Sequence, residues 1–459
     1  MLPSLSRTRP SLAAATRLHL LTQYLPVALV ERQVAADGVN SQRERKLPAV
    51  FLVYYTIALC CFMEHALVEV LRDLFELVPA IAGRGVEDWL PTQQAVTAAR
   101  KRLGSAVLWH LQEQVVRPLA TRATRGAWFK DWRVMLIDGT TLALIDTAAN
   151  LAAFGGPGKT AGVASFPMST AVVLVECGTR VIVKAAMGAY TTGERQLAGA
   201  ILSGLHRGML CLCDREYIGY PWLHALRQTG AHALIRVRSN MVLPVRQRLA
   251  DGSYLSHIAP PQRERSCGAR AIPVRVIEYR VAGSDECYRL ITTLMHPCQA
   301  SAEELAALYH ERWEVETTLR EVKAVLRGGS AKTLRSKTPD LVRQELAALL
   351  LAHYVLRRAI HAGALDADID PDTVSFTHAV AVLQRKLPQA VGCVSAQQVN
   401  RVWAAFRVGV MAEPVASSRG HRVERGVRRL PKYPVRPHGP TTPRQQDTTI
   451  TLEAPALAA

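Results

Sequence analysis

The pattern of apolar residues changes near Trp128, and this change limits the folds that the chain can adopt. From Leu18 to about Arg122 apolar residues recur at helical spacing, in segments around 18–36, 47–77 and 92–119. After Trp128 the chain carries short runs rich in valine and isoleucine, which are typical of strands. The sequence therefore predicts an all-α N-terminal part followed by an α/β part.

Two of the strand-like runs end on an aspartate. The run 132-WRVMLID-138 closes on Asp138, and 208-GMLCLCD-214 closes on Asp214, with further strand-like runs at 170–177 and 180–190 between them. Aspartate is also a common turn residue, so either residue alone could simply end a strand. Together they predict two carboxylates presented at the edge of a sheet.

A third carboxylate lies in 301-SAEELAALYHERWEVETTLREVKAVLRG-328, which the spacing predicts to be one long amphipathic helix. Ser301 and Glu304 form a capping-box start, and Gly328 supplies the stop. On a helical wheel one stripe roughly 60° wide contains four polar side chains, with two arginines close by. The four are Tyr309, Arg312, Glu316 and Lys323, and the arginines are Arg320 and Arg327. The alternative is an exposed helix with i,i+4 ion pairs.

The 459 residues are too many for one ordinary core, so we expect two or three domains. The block from 231 to 297 reads as short strands, one of them at 241–245, with turns and a loop at 261–270. The chain after this block is again helical. The tail is rich in arginine and proline and is expected to be disordered. The expected divisions are 1–17 disordered, 18–125 a helical N-terminal domain, 126–230 and 299–412 two parts of the core, 231–298 a β-rich insertion, and 413–459 the basic tail.

The formal net charge of +18 indicates an anionic partner, most commonly nucleic acid, although a membrane surface or a ribosome would also fit. The basic N-terminal helices could therefore bind DNA or form a scaffold with a solvated basic face. Nine scattered cysteines without a CxxC pair are typical of a reduced cytosolic protein. The apolar run from Ala49 to Met63 is shorter than the ~20 residues of a membrane span, so we expect a buried helix and no membrane association.

The three carboxylates suit metal-dependent phosphoryl transfer. Magnesium prefers hard oxygen ligands, and Asp138, Asp214 and Glu316 could hold two Mg²⁺ ions, with Mn²⁺ able to substitute. Cations on the same helix would bind the phosphates beside the scissile bond. Arg312 and Lys323 would do this, with Arg320 and Arg327 on the same stripe, and Tyr309 would donate a hydrogen bond or stack there.

The spacing Tyr-x2-Arg-x3-Glu-x6-Lys from Tyr309 to Lys323 resembles the YREK motif of bacterial insertion-sequence DDE transposases of the insertion-element-four type. The stretches 137-IDGTTLALIDTAANLAAFG-155 and 213-CDREYIGYPWLHAL-226 are similar to the family's blocks around the first two acids. The resemblance implies an RNase H-like core with a β-rich insertion, with Glu316 as the third catalytic acid. It also implies cut-and-paste transposition by a bacterial, cytoplasmic and nucleoid-associated enzyme.

The resemblance further implies double-stranded DNA partners, namely inverted-repeat element ends and target DNA. Because two ends must be held together, a homodimer on DNA is expected. Two other functions use the same features: a metal-dependent endonuclease, or a catalytically silent DNA-binding protein derived from a transposase. The presence of all three acids favours an active enzyme over the silent protein.

Overall fold

The computed structural model describes residues 19–40, 47–75, 90–157, 166–281, 287–327, 333–391, 395–415 and 450–452. The chain forms a mixed α/β protein with two compact units. The first unit comprises 1–128, 135–204 and 314–415, and the second comprises 129–134, 205–313 and 416–459. These units cut across the sequential domain boundaries expected from the sequence. The expectations for 1–17 and for most of the basic tail lie outside the described residues.

The first unit is mostly helical. Its helices are α1 (His19–Thr22), α2 (Val27–Ala36), α3 (Ala49–Leu59), α4 (Leu67–Phe75), α5 (Gln93–Leu103), α6 (Ala106–Val115), α7 (Ala148–Phe154) and α8 (Glu194–Ile201). The element α12 (Trp313–Arg320), continued by the π-helix Glu321–Leu326, belongs to it from Glu314 onwards. Its long C-terminal helices are α13 (Pro339–Asp366), α14 (Phe376–Val391) and α15 (Ala396–Val410).

The three long N-terminal helices predicted from the sequence are each divided in two. Pro26 precedes α2, and its missing N–H suits a helix start but not a helix interior. Gly104 follows α5 with a φ of +71°, a left-handed conformation that ends the helix. The backbone properties of Pro26 and Gly104 therefore make these helices shorter than hydrophobic spacing alone indicated.

The N-terminal helices pack against α13, which belongs to the same unit. Arg100 lies within a basic stretch of α5, yet it is buried and its Nε donates to the Gln344 side chain at 2.9 Å. Arg335 donates to the carbonyl of Leu59 at the end of α3 over 2.8 Å. Helix α3 is buried along almost its whole surface, as predicted. No helix in the described ranges is long and apolar enough to cross a membrane.

The first unit contains an antiparallel meander of three strands. Its strands are β2 (Trp132–Ala143), whose first three residues belong to the second unit, β3 (Met168–Glu176) and β4 (Ile182–Ala189). Strand β2 pairs with β3 from Met135 to Ala143, and β3 pairs with β4. Strand β3 is buried on both faces because helices of the same unit cover it. The short strand β1 (Trp128–Phe129) precedes β2.

The second unit is built on a sheet. Its strands are β5 (Met209–Cys213), β6 (His232–Arg236), β7 (Gln247–Arg248), β8 (Tyr254–Ile258), β9 (Ile272–Val281), β10 (Cys287–Thr292) and β11 (Ile450–Leu452). Its helices are α9 (Tyr220–Gln228), α10 (Gln262–Ser266) and α11 (Ala302–Tyr309). The strands follow the order β5-β6-β10-β9-β8-β7. Strands β5 and β6 are parallel and are connected by α9, whereas each later neighbouring pair in this order is antiparallel.

Several local predictions for the second unit were wrong. The segment 241–245 is not a strand, because Pro244 lacks the N–H that a central strand needs. The loop predicted at 261–270 contains helix α10, which begins after Pro261. Within the predicted disordered tail, β11 pairs with β9 in antiparallel register. These corrections leave the β-rich character of the unit intact.

Gly178 in the turn between β3 and β4 provides a test of how tightly the first unit is packed. Its φ is +80°, and a side chain there would meet the Arg125 carbonyl oxygen at 2.6 Å and the Ala127 nitrogen at 2.8 Å. Gly104 is also left-handed but has open space around it. We expect Gly104→Ala to lower the free energy of unfolding by about 1–2 kcal/mol through backbone strain alone. Gly178→Ala should lower the free energy of unfolding by more than Gly104→Ala does. Equal losses of free energy for the two variants in urea unfolding would contradict this expectation.

Candidate active site

Asp138 lies in the first unit and is internal to strand β2 rather than at its end. The strand continues to Ala143, and Asp138 pairs with Val173 of β3. The β-branched residues Thr140 and Thr141 favour this continuation. The carboxylate is half-buried, and one of its oxygens accepts a hydrogen bond from the Gly139 N–H at 2.9 Å. The prediction of a strand end was therefore wrong for Asp138, although its carboxylate still reaches the surface.

Lys323 is bonded to the same strand. Its Nζ donates to the Thr140 hydroxyl at 2.9 Å. Side chains two residues apart in a strand point to the same face, so this contact puts the ammonium on the face of Asp138. Burial lowers the pKa of Lys323, and the nearby positive charge of Arg327 lowers it further. The lysine is thus a positioned cation beside the first predicted acid.

The segment from Ala302 to Leu326 is not one regular α-helix. It runs as α11, a 3₁₀ turn (His310–Arg312), α12 and then the π-helix Glu321–Leu326. The predicted capping box of Ser301 and Glu304 is present. Because 3₁₀ and π segments turn at other angles than an α-helix, the wheel computed from ideal geometry does not hold along its full length. The two compact units divide between Trp313 and Glu314.

Glu316 is half-buried in α12 and belongs to the first unit with Asp138 and Lys323. The neighbouring Glu314 points into the core, where its carboxylate accepts from the Gly178 N–H at 2.7 Å. Helix α12 is therefore tied to the β3–β4 turn two residues before Glu316. A half-buried carboxylate on an anchored helix is a suitable metal ligand.

The π-helix is anchored by Glu321, a carboxylate buried in the first unit. Its oxygens accept from Arg357 Nε at 2.9 Å, from a second Arg357 nitrogen, and from Arg180 at 3.4 Å. His353 Nε2 lies 3.0 Å away; because an ionised carboxylate only accepts, this nitrogen carries the proton. Arg180 also pairs with the buried Asp372. Sequence analysis missed this cluster, because its members are dispersed along the chain.

The charge state of the cluster follows from its partners. Burial alone would raise the pKa of Glu321, but Arg357, the hydrogen bond from His353 and Arg180 outweigh burial and lower it to about 2. Burial lowers the pKa of His353, although the bond to Glu321 acts in the opposite direction. Ionised Glu321 therefore holds the π-helix against α13 and the turn before β4.

Asp214 lies in the second unit, directly after β5 as predicted. Its side chain caps the 3₁₀ turn Arg215–Tyr217 and accepts from the Glu216 N–H at 2.8 Å. The carboxylate is half-buried. Asp214 thus ends a buried strand and keeps a surface-accessible side chain, as a metal ligand requires.

Tyr309 belongs to the same unit and is buried, in contrast to its predicted exposure to DNA. Its hydroxyl donates to the carbonyl of Cys213, the residue before Asp214, at 3.2 Å. Burial raises the pKa of Tyr309, the charge of Arg312 lowers it and that of Asp214 raises it. The positive charge of Arg236 also lowers the pKa of Tyr309. We assign Tyr309 the role of positioning the end of β5.

Arg236 was not predicted as a site residue. Its guanidinium lies 4.4 Å from the ring centre of Tyr288, and the side chain is half-buried. The signal available in the sequence was an arginine at the end of the otherwise apolar run 232-HALIR-236.

The remaining predicted cations differ in exposure. Arg312 is half-buried in the second unit, and Arg320 is exposed in the first. Arg327 is only 2% exposed, and burial lowers its pKa. A buried guanidinium cannot reach a DNA phosphate, so we leave Arg327 out of the proposed DNA contacts.

The start of α11 is fixed by a buried ion pair within the second unit. Arg275 is fully buried, pairs with Asp251 and donates to the Ala300 carbonyl at 2.7 Å. Asp251 in turn accepts from the Ala302 N–H at 2.8 Å. This arrangement holds the helix that carries Tyr309 against strand β9 and the turn before β8.

Two family models match this chain. The transposase DDE domain matches residues 130–355, and the N-terminal domain of the insertion element 4 transposase matches residues 15–113. Transposase InsG for insertion sequence element IS4, from Escherichia coli, is 26% identical over 371 residues, which cover 80% of this chain and 82% of InsG. Putative transposase y4zB from Sinorhizobium fredii is 29% identical over 34% of this chain and 44% of its own length.

A similar solved structure is a piggyBac transposase synaptic complex with hairpin DNA. The match covers 86% of this chain and 85% of that one, with a TM-score of 0.44 and 10% identity.

The buried position of Glu321 predicts a large effect on stability. Glu321→Ala would leave the Arg357 guanidinium buried without its counterion, so the free energy of unfolding should fall by about 3–5 kcal/mol. The matched control is Glu113→Ala, which removes a half-exposed pair with Lys184 in the same unit. That change should cost about 0–1 kcal/mol. Similar losses in urea unfolding would show that the Glu321 cluster is not an anchor.

The pH dependence of stability gives a second test of Glu321. Its folded-state pKa of about 2 is below the ordinary value of 4.5. The carboxylate therefore contributes stability above about 4.5, and this contribution is lost as pH falls towards 2. We expect Glu321→Gln to unfold with a shallower dependence on pH across this window than the wild type. Parallel curves for the two proteins would contradict an ionised, stabilising carboxylate.

The buried hydroxyl of Tyr309 predicts a role in positioning rather than in binding. Tyr309→Phe should lower the free energy of unfolding by about 1 kcal/mol through loss of one buried hydrogen bond. Its affinity for DNA should not change, whereas Arg312→Ala should weaken DNA binding. Equal weakening by the two substitutions in a binding titration would restore a direct DNA contact for Tyr309.

Proposed function

This chain belongs to the insertion element 4 family of DDE transposases and is a DNA transposase, and we propose that it moves its element by metal-dependent, cut-and-paste cleavage and joining of DNA strands. The observation that carries this proposal is the hydrogen bond from Lys323 to Thr140. It supports a site in which the segment bearing Glu316 faces the strand bearing Asp138. All three predicted acids lie inside the matched DDE domain.

Asp138, Asp214 and Glu316 are the proposed metal ligands. All three are half-buried carboxylates, and hard oxygen donors of this kind fit Mg²⁺, or Mn²⁺ in its place. Two such ions, when bound, would activate the attacking hydroxyl and stabilise the leaving 3′ oxygen. The chain's part is to hold the carboxylates in place. Tyr309 does this for the end of β5, and Glu314 and Glu321 do it for α12 and the π-helix.

The cations around these acids are proposed to bind the phosphates that flank the scissile bond. Lys323 is held on the face of β2 that carries Asp138, and the charge of Arg312 acts on Tyr309, whose hydroxyl contacts the residue before Asp214. Arg320 is exposed on α12 and available for a more distant phosphate. Contacts of this type position a DNA strand without reading its sequence.

We propose that the catalytic core is RNase H-like and that residues 231–298 are an insertion in it. The antiparallel meander β2-β3-β4 and the parallel pair β5 and β6 connected by α9 support such a core. The strands from β7 to β10 support a β-rich insertion before the segment that carries Glu316.

The proposed partners are the inverted-repeat ends of the element and a target DNA duplex. Because two ends are processed together, two protomers would assemble on DNA as a homodimer. A substrate in chromosomal DNA would place the protein in the bacterial cytoplasm, at the nucleoid. The formal net charge of +18 supports association with such a polyanion.

The reaction can be tested with a DNA duplex that carries the inverted repeat flanking the gene. With Mg²⁺ the wild type should nick the duplex at the repeat end, and Glu316→Ala should lower the nicking rate by at least about 100-fold. DNA binding by the variant should persist because the substitution removes a negative charge. The matched control is Glu303→Ala, an exposed glutamate of α11 that should leave nicking unchanged.

Three results would contradict the proposal. Equal nicking by the wild type and Glu316→Ala would exclude Glu316 as a ligand. Nicking that ignores the repeat and never joins a 3′ end to target DNA would identify a metal-dependent endonuclease instead. Absence of nicking by the wild type with Mg²⁺ or Mn²⁺, while the duplex stays bound, would identify a silent DNA-binding protein.

A further inference from the structure

The second unit contains a cleft whose lining the proposed reaction does not use. Its volume is about 370 Å³, and it lies between one face of α9 and the backbone that leads into β9. Helix α9 contributes residues at positions i, i+4, i+7 and i+8, which share one helical face. The polar lining residues are Tyr220, His224, Arg227 and Gln228 from α9, and Arg270 from the opposite side.

The two sides of the cleft are joined by a hydrogen bond. The Tyr220 hydroxyl donates to the Arg270 carbonyl at 3.0 Å. The Tyr220 ring is buried and stacks on His224, with ring centres 5.8 Å apart and an interplanar angle of 21°. On the side of Arg270, the Ala269 N–H donates to the Glu264 carbonyl of α10 at 3.0 Å. The segment that carries Arg270 is therefore attached at two points to ordered structure.

The chemistry of the lining indicates an anionic ligand. Two guanidiniums, an imidazole and an amide offer hydrogen-bond donors, and none of the lining residues is a carboxylate. The surrounding stretch from 220 to 272 carries eight arginines against two acidic residues, Asp251 and Glu264. Arg227 and Arg270 are exposed, so an extended polymer can reach them from solvent.

We propose that this cleft binds a phosphodiester group of a DNA strand through Arg227 and Arg270. Guanidinium forks match phosphate oxygens, and pairs of this kind are stronger than neutral hydrogen bonds. The Tyr220 ring is buried and therefore offers no face to a base, and phosphate contacts carry no sequence information, so the contact is independent of sequence. This proposal rests on the DNA transposase function and adds a second DNA contact, remote in sequence from the segment that carries Glu316.

The salt dependence of DNA binding tests the cleft. Each phosphate contact in duplex DNA contributes about 0.9 to the slope of log affinity against log salt concentration. The double variant Arg227→Ala and Arg270→Ala should therefore bind DNA with a slope smaller by roughly 1, on any sequence. The control double variant is Arg207→Ala and Arg246→Ala, which loses the same charge at exposed positions of the same unit. Its slope should remain close to that of the wild type.

Equal slopes for the cleft and control variants would overturn the proposal. An isotherm of inorganic phosphate binding distinguishes a free anion from the DNA backbone. The wild type could bind phosphate while the cleft variant does not, with the same salt-dependence slope of DNA binding for both proteins. In that case the cleft serves a free anion and the proposal fails. Circular dichroism confirms that each variant is folded. Metal-dependent nicking is measured separately, so equal slopes together with normal nicking by the wild type would refute this inference and leave the proposed function standing.

Discussion

The buried carboxylate of Glu321 is the interaction on which the placement of Lys323 in the first unit depends. Its partners come from α13 and from the turn before β4, so one ionised group connects three parts of the chain. Burial of a lone carboxylate would be strongly unfavourable, and only the two arginines and the histidine make it favourable. Because Glu321 begins the π-helix that carries Lys323, this anchor also decides where that ammonium lies against β2.

In the second unit, the buried ion pair of Arg275 and Asp251 anchors a segment in a similar way. That buried pair holds the start of α11, and Tyr309 at the end of the same helix contacts the strand that precedes Asp214. In each unit an acid proposed for catalysis is half-buried, while charged or phenolic groups behind it are buried and fully engaged. Such an arrangement keeps the segments that carry the proposed ligands rigid, as the proposed metal-dependent strand cleavage would demand.

Positive charge on this protein serves two different purposes. Arg100, Arg275, Arg327 and Arg357 are buried, and three of them bond to named partners within their unit. Arg227, Arg270 and Arg320 are exposed and available to a polyanion. The net charge of +18 alone does not separate these groups. A basic residue in a helical stretch therefore indicates DNA binding only once its burial is known.

The sequence by itself determined the family and the local elements whose signals are short-range. The apolar run before Asp214, the Ser301–Glu304 capping box and the buried helix α3 depend on neighbours along the chain, and all three predictions were confirmed. Only the tertiary structure decided that β2 runs past Asp138, that Tyr309 and Arg327 are buried, and that Glu321 is an anchor. The arginine partners of Glu321 lie 36 and 141 residues away along the chain. Burial and charge pairing over such separations follow from packing, and a single sequence carries no periodic signal for them.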